Sequence, residues 1–221
     1  MYFLGHMAWA YVLAMLAWAL IPGVKRYGKL FVPAVLMLGV LPDSDLLLGG
    51  LGIAHRTVTH SWFLWIVLFI PVFYFLRLKA VPYFVAVIQH FAFGDFVMGK
   101  VMMFWPFSSA RVGLGFGMVS VVDVVLETGG LILAAGLMIY FGDLKRLFSV
   151  EKRNFYMILP LLALLVSALY FISHWQSLNM FTNYILSSSL LMFVAITNFI
   201  LVAFLAISTL QGLRALRSKP N

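Results

Sequence analysis

The residues able to do chemistry in this chain fall into a few short runs. Leu41-Pro-Asp-Ser-Asp closes an apolar segment with Asp43 and Asp45 two residues apart. Outside a regular helix that spacing can aim two carboxylates at one point, and Pro42 helps to end the helix there. The run His55-Arg-Thr-Val-Thr-His-Ser follows, with His55 and His60 around Arg56. Its guanidinium suits bidentate contact with a phosphate or carboxylate, and Thr59 or Ser61 reads as a helix N-cap. His90 and Asp95 stand five apart in Gln-His-Phe-Ala-Phe-Gly-Asp. Five residues of ideal helix rotate a side chain by about 140°, so these two share a ligand only if Gly94 marks a bulge or break. Asp123 and Glu127 are four apart on one helical face, where carboxylates repel unless a cation or a shared proton intervenes; pairing with Lys100 or Arg111 is the alternative.

Histidine and carboxylate without cysteine suit zinc, manganese or iron, and carboxylate-rich sets often hold two ions around a bridging water. A divalent metal would lower the pKa of bound water, a neighbouring Asp or His would act as general base, and Arg56 would counter charge developing on a phosphoryl or carbonyl oxygen. The chain has no cysteine, which removes disulfides, thiolate metal sites and a cysteine nucleophile. It also lacks GxSxG, P-loop and HExxH motifs, and with them the mechanisms those motifs serve. Taken singly, each residue has a plainer reading: a solvated acidic turn for Asp43 and Asp45, a surface charge for Arg56, a hydrogen-bonded core histidine for His90.

The elements that must position these residues are set by composition. With 64% hydrophobic and 10% charged residues, the bilayer is the solvent. At roughly 20 apolar residues per span, the expected fold is an all-α polytopic transmembrane bundle of about seven helices, six being the alternative. The apolar segments run over 2–21, 30–48, 62–78, 81–99, 117–141, 155–173 and 183–209. The first lacks a cleavage site and reads as a retained helix. Residues 1–145 form the expected site-bearing core, and 146–221 add further helices and a short basic tail. The net charge of +8 sits in short clusters between apolar runs, which speaks for membrane orientation and against nucleic acid. Assigning alternate connectors to opposite sides leaves only Arg56, Lys100 and Arg111, of the fifteen Lys and Arg, on one side. That side is extracytoplasmic by the positive-inside rule, so the N-terminus is expected outside and the C-terminus in the cytoplasm. All five histidines then lie in the outer half, with His6 at the end of helix 1 and His174 in a loop. The acids other than Asp143 and Glu151 join them. Ionised acids cost about 2.5–3.5 kcal/mol at a spanning helix centre, so a common partner is expected.

The runs LPDSD, HRTVTHS, QHFAFGD and WPFSSARVGLG, in that order, resemble the LexA-regulated, membrane-bound metal-dependent hydrolase family of bacteria. The resemblance covers residues 1–130, with His6 matching an N-terminal histidine of the pattern. It implies a distant kinship with zinc-dependent phospholipase C and P1 nucleases, and hence zinc-dependent phosphoester hydrolysis. It makes His6, Asp43, His60, His90 and Asp95 the leading metal ligands, His55 and Asp45 the next, and Asp45 a general base. The family pattern sets its later His and Asp four apart, whereas here the gap is five. The expected function is cleavage of a lipid or lipid-linked phosphoester at the extracytoplasmic face, with Asp45 and Arg56 in catalytic roles. A transporter or a proton- or ion-conducting protein is the alternative, and a scaffold stapled by its metal is a third reading.

Overall fold

A computed structural model describes residues 2–117, 120–174 and 189–218. Among these the chain is all-α, apart from an isolated bridge between Val101 and Val112. The main helices are α1 (Phe3–Leu20), α2 (Val32–Val40), α3 (Trp62–Leu76), α4 (Val81–Gln89), α5 (Val121–Tyr140), α6 (Ile158–His174) and α7 (Ser189–Arg217). Among the described residues four helical stretches are long and apolar enough to cross a membrane: Phe3–Leu20, Trp62–Met98, Val121–Tyr140 and Ala195–Arg217.

The stretch Trp62–Met98 is not a straight rod. A continuous helix would separate Phe69 from Phe84 by about 22 Å, yet their rings lie 5.1 Å apart, and Phe73 meets Phe84 at 5.5 Å. The chain reverses at Arg77, which takes φ +52°, so α3 and α4 form an antiparallel hairpin where two segments were expected. The expected segment 30–48 is regular α-helix only to Val40; it continues as a 3-10 turn over Leu41–Ser44 and a short helix over Asp45–Leu48. Pro42 has no N–H to donate to the preceding turn. His174, expected in a loop, is the last residue of α6. The connector 175–188, including the start of the expected seventh segment with Ser187 and Ser188, lies outside the described residues.

Two compact units divide the chain, Met1–Ala134 and Ala135–Asn221. In the first, α1 is the central helix, with Met7, Ala10, Tyr11, Ala14 and Met15 buried against α2 and α4. A helix apolar on all faces belongs in such a position. Gly39 of α2 makes the packing close: a Cβ there would stand 2.6 Å from that of Ala10 and 2.9 Å from the His6 carbonyl oxygen. By contrast α3 exposes Phe63, Ile66, Val67 and Ile70, a face apolar enough to meet lipid. In the second unit α7 packs on α6 and on the turn Lys152–Met157. There Asn154 Nδ2 donates to the carbonyls of Arg146 and Ser149, both at 2.8 Å.

Candidate metal centre

The 3-10 turn after α2 delivers Asp43 and the short helix after it Asp45, while a second 3-10 turn, Val58–His60, delivers Thr59 and His60. Between them Arg56 adopts φ +64°, a conformation disfavoured for residues with a Cβ and here held from several sides. Its N–H donates to Asp45 Oδ2 at 3.0 Å and its carbonyl accepts from Met102 N at 3.1 Å. The guanidinium grips Asp95 with two bonds, Nε to Oδ2 at 3.0 Å and Nη2 to Oδ1 at 2.9 Å. Gly99 provides the seat, since a Cβ there would collide with Arg56 Nη1.

His90 and Asp95 come together because residues His90–Asp95 form a π-helical turn. Its i→i+5 bonding widens the turn, so residues five apart return to nearly one face. The bulge that the five-residue gap demands is therefore present, with Gly94 buried inside it. His90 Nε2 stands 3.8 Å from Asp95 Oδ2.

Four buried or nearly buried side chains, Asp43, His60, His90 and Asp95, place one ligand atom each within a common 4.8 Å. His90 Nε2 is 3.2 Å and His60 Nε2 3.6 Å from Asp43 Oδ1, and His60 Nε2 is 3.1 Å from Asp95 Oδ2. Four ligands at 2.0–2.1 Å from a tetrahedral ion stand about 3.3 Å from one another. In the neutral rings the imidazole protons point away from this centre. His90 Nδ1 lies 2.8 Å from the Gly39 carbonyl, an acceptor only, so Nδ1 is the donor and in the neutral ring Nε2 is a bare lone pair facing Asp43. His60 Nδ1 lies 3.0 Å from Thr59 Oγ1 and 3.3 Å from Asp45 Oδ2, while its buried Nε2, for all its closeness to Asp95, makes no hydrogen bond among the described residues. Two acceptor nitrogens facing two carboxylates need a cation between them, so the cluster can hold a metal ion. Burial works against the charged form of His60, but the side chains of Asp43, Asp45 and Asp95 outweigh it and hold the pKa well above the usual histidine range.

His6 stacks on His90, with centroids 3.8 Å apart and 21° between the rings, and its Nε2 is 3.8 Å from Asp95 Oδ1. It stands outside the four-atom group, and its buried Nδ1 has no hydrogen-bond partner among the described residues. His55 Nδ1 is 2.8 Å from Asp45 Oδ1 and 3.9 Å from Asp43 Oδ1. Asp45 Oδ2 accepts from Arg56 N and from Thr59 Oγ1, the latter at 2.7 Å. Asp45 thus orients the loop and His60, as carboxylates behind metal-binding histidines do.

Asp123 and Glu127 are buried but belong to neither metal-capable group. Glu127 Oε1 accepts the Tyr2 N–H at 2.6 Å, and a Cβ on Gly5 would overlap its carboxylate. It meets the N-terminus of α1, whose open N–H groups and dipole favour an anion. Ser61 occupies the N-cap position of α3 without a capping bond, because its hydroxyl donates to the Trp105 carbonyl. Spacing arguments did not reach Gly39, Gly99, the Thr59 hydroxyl contact with Asp45, or Gln89, whose Nε2 donates to the His6 carbonyl at 3.0 Å.

Comparison of the chain with protein families, curated proteins and solved structures finds no match.

Proposed function

We propose that the protein is a membrane-bound metal-dependent hydrolase that cleaves a phosphoester of a lipid or lipid-linked substrate at the extracytoplasmic face, with zinc as the fitting ion. The observation that carries this reading is the facing of two acceptor imidazole nitrogens and two carboxylates at tetrahedral spacing. A divalent ion held by Asp43, His60, His90 and Asp95 would supply a lowered pKa for bound water and a charge to polarise a phosphoryl oxygen.

The chain's own residues do the rest. Gly39 O, Thr59 and Asp45 hold the two imidazoles in the ligating tautomer. Arg56 holds Asp95 in place using two of its five donors, and with 23% of its side chain exposed it has donors left for a phosphoryl oxygen. The segment that ties down Arg56 through Met102 also exposes Phe104, Phe107 and Leu114, which suits a substrate with acyl or polyprenyl chains. The resemblance carried by the LPDSD, HRTVTHS and QHFAFGD runs favours the phosphoester class.

The test is phosphate or headgroup release from a panel of lipid phosphoesters by detergent-purified protein, with and without chelator. Activity is expected to vanish on chelation and return with zinc, His90→Ala should lower kcat/KM at least about 100-fold, and Asp45→Asn should cost about 10–100-fold. Hydrolysis indifferent to chelation, or absent across the panel with metal bound, contradicts the reading.

A further inference from the structure

The buried group leaves a second set of ligand atoms unused. Asp45, His55 and His60 also place atoms within 4.8 Å of one another, and this corner opens outward: the His55 side chain is 36% exposed, whereas Asp45 and His60 are fully enclosed. The two oxygens of Asp45 have different surroundings. Oδ2 is the meeting point of the Arg56 N–H, the Thr59 hydroxyl and His60 Nδ1, while Oδ1 faces His55 Nδ1 at 2.8 Å. Asp43 Oδ1 completes the corner, 3.9 Å from His55 Nδ1, and the same atom faces His60 Nε2 and His90 Nε2 in the buried group.

We infer that the centre binds a second divalent cation at Asp45 Oδ1, His55 Nδ1 and Asp43, with Asp43 shared between the two ions. This rests on the buried site proposed above and deepens it. Charge gives the second ion a purpose. Asp43, Asp45 and Asp95 face one fixed cation, Arg56, so one divalent ion with neutral imidazoles leaves the centre neutral. A second ion leaves a surplus of positive charge, which an anionic phosphoester cancels on binding. Three protein ligands at a half-exposed corner leave more positions open for water or substrate oxygen, as catalytic sites do, than four ligands at the enclosed position. The outer ion therefore exchanges readily and the inner one slowly.

The experiment is metal stoichiometry on the purified full chain in detergent, depleted with chelator, equilibrated by dialysis against buffered zinc and analysed by mass spectrometry with the dialysate as blank. Manganese-loaded samples are read in parallel for spin coupling by electron paramagnetic resonance. Wild type should hold about two ions per chain and show coupled manganese. His55→Ala, and His55→Asn as a polar replacement, should hold about one, with the coupling gone and a cooperative unfolding transition in chelator showing that the chain still folds. One ion in wild type, equally retained by both variants, overturns the second site and leaves the buried one standing. No ion in wild type overturns the buried site itself.

Discussion

At the scale of single residues, the centre is built from lone pairs that need a cation. In the metal-free protein a proton serves, which is why the three carboxylates around His60 raise its pKa. A group with a raised folded-state pKa contributes stability that is complete below its unfolded value, about 6.5 for histidine, and that is lost as pH rises through the folded value. Chelated protein should therefore unfold at progressively lower temperature as pH climbs from 6 into the alkaline range, measured by differential scanning fluorimetry in detergent. Zinc uptake by the same protein should release protons, seen as a binding enthalpy at pH 7 that depends on the ionisation enthalpy of the buffer. A buffer-independent enthalpy would mean that His60 binds no proton that metal displaces. Gly99→Ala should unseat Arg56 from Asp95 and weaken metal retention, while a substitution at exposed Lys100 should not. Residue types made most of this centre legible: Asp43, Asp45, His55, His60, His90 and Asp95 all stand in runs that attract notice. Their division of labour was not legible, because whether Asp45 ligates or orients depends on which atoms its oxygens meet after folding. The Gly39 carbonyl has no sequence signal, since every residue has one.

At the scale of elements, the π-turn is the decisive piece. Removing one residue from it restores an ordinary helix in which His90 and Asp95 stand four apart on the same face. Deleting Ala92, small and half-buried in the turn, should thus retain zinc within about tenfold, read by competition with a chelating dye. Inserting an alanine after Ala92 should abolish retention, because six residues of either helix no longer bring the two side chains together. Equal loss in both would show that the turn positions some other group. The sequence demanded a bulge between His90 and Asp95, because no regular helix brings residues five apart to one ligand, but the kind of bulge depends on how α1 and α2 pack around it. The 3-10 turn after α2 was foreshadowed by Pro42. The reversal at Arg77 was marked by the charged Arg-Leu-Lys between two apolar runs.

At the scale of the whole molecule, hydropathy and charge made the all-α architecture and the candidate spans readable, since one apolar stretch after another leaves few other structures possible in lipid. The sidedness of the Lys and Arg residues predicts that a reporter fused after Arg217 lies in the cytoplasm. Green fluorescent protein placed there should fluoresce and alkaline phosphatase should be inactive; the reverse pattern would put the candidate site on the wrong face for an extracytoplasmic substrate. The central claim is that buried histidine and aspartate side chains in the first unit hold a metal, and its most direct test is the metal content of purified protein beside an Asp43→Ala/His60→Ala double variant. Near-stoichiometric zinc in wild type, lost in a double variant that still purifies as a folded protein, is the result predicted here. Wild type without metal after equilibration with zinc, or a double variant that keeps it, would contradict the account.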